Sequence, residues 1–132
     1  MAVTLSGSLQ GGIDVSYPLR AIRGGTGVRE DSKEAIRHAT MSLFAGIIKE
    51  NSLAWSDVEC LWFTMTSDLT SEIPPLVLRE EGINIPALCA AETEWQGQPQ
   101  RTIRVLALAR IAENVEIQHV FQKGASRNRP ES

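Results

Sequence analysis

The most constraining feature of this sequence is a single long amphipathic pattern in its first half. Apolar residues recur at helical spacing over about Ser32 to Asn51, which predicts an amphipathic α-helix. Asp31 and Ser32 are candidate N-caps, and Glu34 follows Asp31 at the spacing of a capping box. Because such a helix has one apolar face, it has to pack against a second layer of the same domain.

The remaining segments are mostly strand-like. Alternating apolar and cationic residues predict a first strand over 19–25, ended by its glycines, and an apolar, β-branched run predicts a second over 58–66. A shorter helix is predicted from about Pro74 to Glu81, with Gly82 as its C-terminal stop. Three further strands are predicted over 85–90, 101–109 and 115–122. This order predicts an α+β domain, a mixed five-stranded β-sheet with two main helices packed on one face.

The length of 132 residues fits one domain, which we place at 18–123. Residues 1–17 are rich in small and polar side chains and are expected to form a flexible extension, and 124–132 a mobile tail. A sheet covered on one face leaves the other face to be buried. For so small a domain, the expected cover is another copy of the same chain.

Composition excludes several classes of function. The formal net charge of -3 gives no support for a nucleic-acid partner. No apolar run approaches the roughly 20 residues of a membrane span, and the first residues lack the pattern of a secretory signal. The two cysteines, Cys60 and Cys89, are too few for a disulfide framework and match no zinc pattern. We therefore expect a cytoplasmic protein with no metal and no membrane partner.

Familiar catalytic motifs are absent from the sequence. The run 24–27 (Gly-Gly-Thr-Gly) lacks the lysine of a phosphate-binding loop at a helix start. His38 and His119 lie far apart in sequence, and both are expected to be structural. A Ser/His/Asp triad stays open, although no nucleophile elbow indicates one.

Cationic residues inside predicted strands are the unusual feature. Arg23 and Arg104 each lie next to apolar residues, and arginine is rarely buried unless it is paired. A structural ion pair explains either one alone. Together with Arg129 in the tail, they better suit a pocket for an anionic small molecule, because the guanidinium fork binds carboxylates through two hydrogen bonds. Glu92, just beyond an apolar strand, is either a solvated carboxylate or a further member of that pocket.

Six segments carry a family resemblance that runs from about residue 19 to 130 with nearly unbroken spacing. They are Arg20-Ala21-Ile22-Arg23-Gly24-Gly25-Thr26, Thr66-Ser67-Asp68-Leu69 followed by Ile73-Pro74, Pro86-Ala87-Leu88-Cys89-Ala90-Ala91-Glu92, Thr102-Ile103-Arg104-Val105-Leu106, His119-Val120-Phe121 and Arg129-Pro130. Their order and spacing resemble those of the trimeric α/β class of chorismate mutases, the monofunctional pseudo-barrel enzymes.

The resemblance implies a cytoplasmic isomerase that rearranges chorismate to prephenate without a cofactor, in the shikimate pathway to phenylalanine and tyrosine. It implies a homotrimer, a pseudo α/β-barrel with active sites in the clefts between subunits. On the matching positions, Arg23 binds a substrate carboxylate, Arg104 contacts the ether oxygen and Glu92 holds the ring hydroxyl. These three are the expected catalytic residues. The other expected substrate-binding residues are Ile73, Arg79, Cys89, Phe121 and Arg129.

Three positions depart from the family pattern. Leu76 stands where a lysine is usual, Phe121 replaces a tyrosine that bonds a substrate carboxylate, and Asn128 replaces an apolar residue. The first two changes remove polar contacts to a dianion, so we expect weaker substrate binding or a modified substrate. The alternatives are a related pericyclic or lyase reaction on a chorismate-like molecule, a non-catalytic trimeric ligand-binding protein, and a trimeric-barrel imine deaminase. The context of Arg23, Glu92 and Arg104 argues against the deaminase.

Overall fold

A computed structural model describes residues 16–125 of the chain. Arg129, Asn128 and nearly all of the predicted extension lie outside these residues, so the division at 17/18 and 123/124 stays a prediction. The helices and strands, in chain order, are β1 (Leu19–Gly27), α1 (Lys33–Glu50), a 3-10 turn (Trp55–Asp57), β2 (Val58–Met65), α2 (Pro74–Glu80), β3 (Ala87–Ala91), β4 (Thr102–Arg110) and β5 (Val120–Gln122).

The five strands form one mixed sheet in the order β3-β2-β4-β1-β5. The central strand β4 is antiparallel to both β1 and β2, whereas β3 runs parallel to β2 and β5 parallel to β1. Alternate side chains of β4 enter the core, namely Ile103, Val105, Ala107 and Ala109, none more than 6% exposed. The predicted fold class, a mixed five-stranded sheet with two helices on one face, is confirmed.

Two different acceptors organise the start of α1. Ser32 is the N-cap, and its Oγ accepts a hydrogen bond from the backbone N–H of Ala35 at 3.1 Å. Asp31 instead accepts backbone hydrogen bonds from Thr70 and Ser71, each at 3.0 Å, in the loop that precedes α2. The backbone hydrogen bond from Thr70 is the main reason that the pKa of Asp31 lies below its ordinary value. No helix within residues 16–125 combines the length and apolar character needed to span a membrane.

The predicted end of β1 at its glycines is wrong, because the strand continues to Gly27. A Cβ on Gly24 would lie 3.1 Å from Val105 Cγ1 and 3.2 Å from both Ile47 Cδ1 and Leu43 Cδ1. Glycine therefore allows α1 to pack closely on the middle of the strand, and it does not break the strand.

The last strand is much shorter than the predicted segment 115–122, since only Val120–Gln122 pair as a strand. Before Val120, hydrogen bonds that involve side chains hold this segment in place of strand-to-strand backbone hydrogen bonds. The Asn51 side chain exchanges hydrogen bonds of 2.8 and 2.9 Å with the backbone two positions before the strand. His119 Nδ1 accepts a hydrogen bond from the backbone N–H of Arg23 at 2.9 Å. The other predicted boundaries lie within two residues of the observed ones.

Candidate active site

The face of the sheet turned away from α1 and α2 carries the predicted chemistry, and we call it the open face. Because side chains alternate along a strand, Arg104 and Leu106 of β4 lie on this face, between the buried helix-facing residues. Arg104 pairs with Gly25 of β1 on one side and with Thr64 of β2 on the other. The next row pairs Leu106 with Arg23 and Trp62.

Arg23 and Arg104 are diagonal neighbours on adjacent strands, because Arg23 pairs with the residue two positions beyond Arg104. Diagonal neighbours on one face lie about 7–8 Å apart, well within reach of two arginine side chains. Both line a cavity of about 250 Å³ together with Trp62, Thr64 and Phe121, which we call the arginine cavity. The structure therefore brings together the two arginines that the sequence singled out.

Glu92 joins Arg104 through a largely buried ion pair. Arg104 Nε donates to Glu92 Oε2 at 3.2 Å, and Thr64 Oγ1 donates to Glu92 Oε1 at 2.8 Å. The Arg104 and Glu92 side chains are only 14% and 9% exposed. Both carboxylate oxygens are held, which fixes Glu92 and, through it, the guanidinium of Arg104.

The electrostatic balance of the arginine cavity is positive. The ion pair with Glu92 neutralises Arg104. A structural ion pair therefore accounts for the burial of this one arginine. Arg23 is exposed and has no carboxylate partner within residues 16–125. Its guanidinium carbon lies 5.8 Å from the centroid of the Phe121 ring, a cation–π distance. One uncompensated guanidinium beside a fixed ion pair suits an anionic ligand.

Sequence reasoning missed two residues of this cavity, Thr64 and Trp62. Both lie within the apolar run that was predicted as the second strand, and neither was assigned a role in the site. The sequence signal for them was alternation: Trp62 and Thr64 alternate with the buried residues Leu61 and Phe63, so they lie on the opposite face of the strand. A polar residue in a buried strand, on the side away from the core, indicates a partner on that side.

The other predicted residues lie elsewhere in the single chain. Ile73 is exposed at the N-cap position of α2, and Arg79 is exposed in the last turn of that helix. Arg79 lines a separate cavity of about 640 Å³ with Leu88 and Trp62. Cys89 packs against the core from β3, and burial raises the pKa of its thiol. One chain alone does not bring these residues to the arginine cavity.

The open face is apolar around the arginine cavity and uncovered in the single chain. Trp62 is 55% exposed and Leu88 63% exposed. Large exposed apolar side chains grouped on one surface mark an interaction site. The face thus combines a charged centre with an apolar surround.

The chain is thus a small α+β protein with one mixed sheet. Its apolar open face carries two guanidinium groups and one held carboxylate, a set that suits an anionic ligand. The chain belongs to the family described as chorismate mutase type I, whose model matches residues 19–132. The chorismate mutase AroH of Thermus thermophilus is 36% identical over 116 residues, 86% of this chain and 95% of that protein. The chorismate mutase AroH of Bacillus subtilis (strain 168) is 32% identical over 106 residues, 78% of this chain and 84% of that protein.

A solved structure agrees with the sequence comparisons. The chorismate mutase from Clostridium thermocellum Cth-682 superposes with a TM-score of 0.73 and 28% sequence identity, covering 80% of this chain and 96% of that one. The predicted isomerase class and chorismate mutase function are confirmed by the family and by these relatives.

Proposed function

We propose that this chorismate mutase converts chorismate to prephenate with Arg104, Glu92 and Arg23 as its catalytic residues. The observation that carries the proposal is the ion pair of Arg104 and Glu92 beside Arg23, which has no ion pair within residues 16–125, on one open face. The reaction is a unimolecular [3,3] rearrangement in which a C–O bond breaks as a C–C bond forms. No proton moves, so the site has to orient the substrate and stabilise developing charge.

Arg104 is the group that meets the developing negative charge on the ether oxygen. Its Nε is committed to Glu92, and its terminal nitrogens make no hydrogen bond to the described part of the chain. Those nitrogens can therefore donate to the ether oxygen as the C–O bond lengthens. Because the ion pair fixes the guanidinium beforehand, this stabilisation needs no reorganisation during the reaction.

Glu92 complements the positive charge that develops on the ring. Each of its oxygens already accepts one hydrogen bond, and a carboxylate oxygen has room for a second. Glu92 can therefore also accept the hydrogen bond of the ring hydroxyl. Arg23 binds a substrate carboxylate with its guanidinium fork. Arg23 and Glu92 together hold the dianion in a compact conformer.

The assembly we propose is a homotrimer with active sites between subunits, a pseudo α/β-barrel. The exposed open face supports it, because a partner has to cover Trp62 and Leu88. The α2–β3 edge of a neighbouring copy would carry Ile73, Arg79 and Cys89 to the arginine cavity. Arg129, outside the described residues, is the remaining substrate-binding residue of the proposal, and the enzyme would act in the cytoplasm, in aromatic amino acid biosynthesis.

The direct test adds purified protein to chorismate and follows the loss of its absorbance, with the product identified as prephenate. Turnover that follows the concentration of folded protein supports the proposal. Binding of chorismate without turnover would instead indicate the non-catalytic ligand-binding protein. Formation of another product would indicate the related pericyclic or lyase reaction.

Thr64→Val should lower kcat at least about tenfold with little change in KM, because a hydrogen bond to a charged group contributes about 1.5–3 kcal/mol. The change keeps the shape of the side chain and removes the donor that orients Glu92. Steady-state kinetics measure it, and Thr64→Ser should restore most of the rate. Thr40→Val is the matched control, since the buried Thr40 hydroxyl has no hydrogen-bond partner in the described part of the chain. A Thr64→Val enzyme within twofold of normal kcat would contradict this positioning role.

Phe121→Tyr should lower the KM for chorismate several-fold, because the added hydroxyl can donate to a substrate carboxylate beside Arg23. We expect kcat to change much less, since this contact is made equally in the ground state and the transition state. The measurement is a KM series at fixed ionic strength. An unchanged KM would remove the explanation that Phe121 weakens substrate binding.

A further inference from the structure

A third cavity, of about 380 Å³, lies on the helix side of the sheet and takes no part in the proposed reaction. Its floor includes Thr26 of β1 together with Ala35 and Ala39 of α1. Thr26 is fully buried and follows Gly25, so it faces the helices, opposite to Arg104. This cavity and the arginine cavity therefore lie on opposite faces of the same sheet.

Four basic residues from separate segments line this third cavity, which we call the basic cavity. They are Arg29 after β1, His38 on α1, Arg101 before β4 and Lys123 after β5. None of the residues within 16–125 that line it is acidic. Two carboxylates contact residues of this lining: Glu30 pairs with the exposed Arg29 side chain at 3.6 Å, and Asp68 accepts the backbone N–H of Arg101 at 3.0 Å. Converging like charges raise the local potential for anions even in a chain whose net charge is negative.

Backbone strain is concentrated at the same place. Of the residues described, three other than glycine have a positive φ, and two of them are the cavity residues Arg101 (φ 39°) and Lys123 (φ 51°). This conformation costs about 1–3 kcal/mol per residue and persists where the surroundings enforce it.

Close packing enforces the conformation of both residues. Arg101 Nε donates to Val28 O at 2.9 Å, and Val28 N donates to Arg101 O at 2.7 Å. A Cβ on Gly27 would lie 2.1 Å from Lys123 O, so that the two backbones meet without space for any side chain. The end of β1, the start of β4 and the end of β5 thus pack closely together. This packing holds Arg101 and Lys123 at one cavity.

We propose that the basic cavity binds a phosphomonoester of a small molecule. Its volume lies in the range of about 300–1,000 Å³ that is typical of small-molecule sites. Three cationic side chains from separate segments line it together with the ring of His38, which suits the tetrahedral oxygens of phosphate, whereas a planar carboxylate is satisfied by one guanidinium fork. The alanines of α1 provide an apolar wall for the body of the ligand.

The test titrates inorganic phosphate and phenyl phosphate into the intact protein and maps backbone amide shifts by NMR. We expect saturable binding with a Kd of about 1 mM or tighter and shifts centred on Gly27, Arg29 and Lys123. Lys123→Gln should weaken binding by at least about tenfold, as loss of a charge-assisted hydrogen bond requires. The matched control Lys49→Gln removes the same charge from the exposed end of α1 and should change the Kd less than about twofold.

Two further arms separate this site from the others. Arg104→Met removes the substrate site on the open face and should leave phosphate binding in place. Succinate should bind more weakly than phosphate by at least about tenfold. Shifts centred on Arg23 and Phe121, equal weakening by Lys49→Gln, equal binding of succinate or the absence of saturable binding would each overturn the proposal.

Discussion

Arg104→Ala should lower kcat for chorismate at least about 100-fold, the largest loss that we expect from a single substitution. Removing one preorganised donor costs about 2.7–4 kcal/mol of transition-state stabilisation, and about 1.4 kcal/mol corresponds to a factor of ten. Arg104 is a charged donor whose side chain is only 14% exposed, so water does not take its place easily. Single-turnover and steady-state kinetics measure the effect.

Two variants separate chemistry from folding in that experiment. Arg104→Ala leaves the Glu92 carboxylate without its cation, so its secondary structure and unfolding temperature should be measured first. Arg104→Lys retains the charge without the fork and should recover only part of the rate. Arg37→Ala is the control on the helix side, since it removes an arginine that pairs with Glu80 and Glu81 away from the open face. Near-normal turnover by folded Arg104→Ala would contradict the assignment of Arg104.

Local patterns in the sequence predicted the helices and strands of this fold well, because apolar residues repeat with a different period in a helix and in a strand. The helical spacing over α1 and the apolar run of β2 both match observed elements. Alternation along β1 and β4 also placed Arg23 and Arg104 among apolar neighbours, which is why a pocket could be proposed at all. Their meeting depends on the antiparallel register of β1 with β4, which no local pattern specifies.

Features decided by long-range pairing escaped prediction. The order β3-β2-β4-β1-β5 arises from packing between distant segments. The hydrogen bond of Thr64 to Glu92 needs the parallel register of β2 with β3, and Glu92 continues that ladder by donating its backbone N–H to Met65 O at 2.8 Å. The shortened β5 has the same origin, because His119 accepts the backbone N–H of Arg23 across 96 positions of sequence.

If the chain forms the proposed homotrimer with active sites shared between subunits, mixed assemblies of two inactive variants should regain activity. Arg104 lies on the open face, whereas exposed Arg79 lies on α2 and has no ion pair within residues 16–125. In a random mixture of Arg104→Ala and Arg79→Ala chains, half of the sites receive an intact Arg104 and half of those an intact Arg79. About a quarter of the sites are then complete, so activity should rise to about a quarter of the unmodified rate.

The control for this experiment follows from the ion pair. Arg104 and Glu92 are joined at 3.2 Å within one chain, so both belong to the same half of a shared site. In a mixture of Arg104→Ala with Glu92→Gln chains, every site has one defective residue in that half, and no activity should return. The chains are refolded together, and light scattering confirms the mass of three subunits before activity is measured. A mixture of Arg104→Ala and Arg79→Ala no more active than its parents would contradict a site shared between subunits. Recovery in the control mixture would instead show that Arg104 and Glu92 act from different chains.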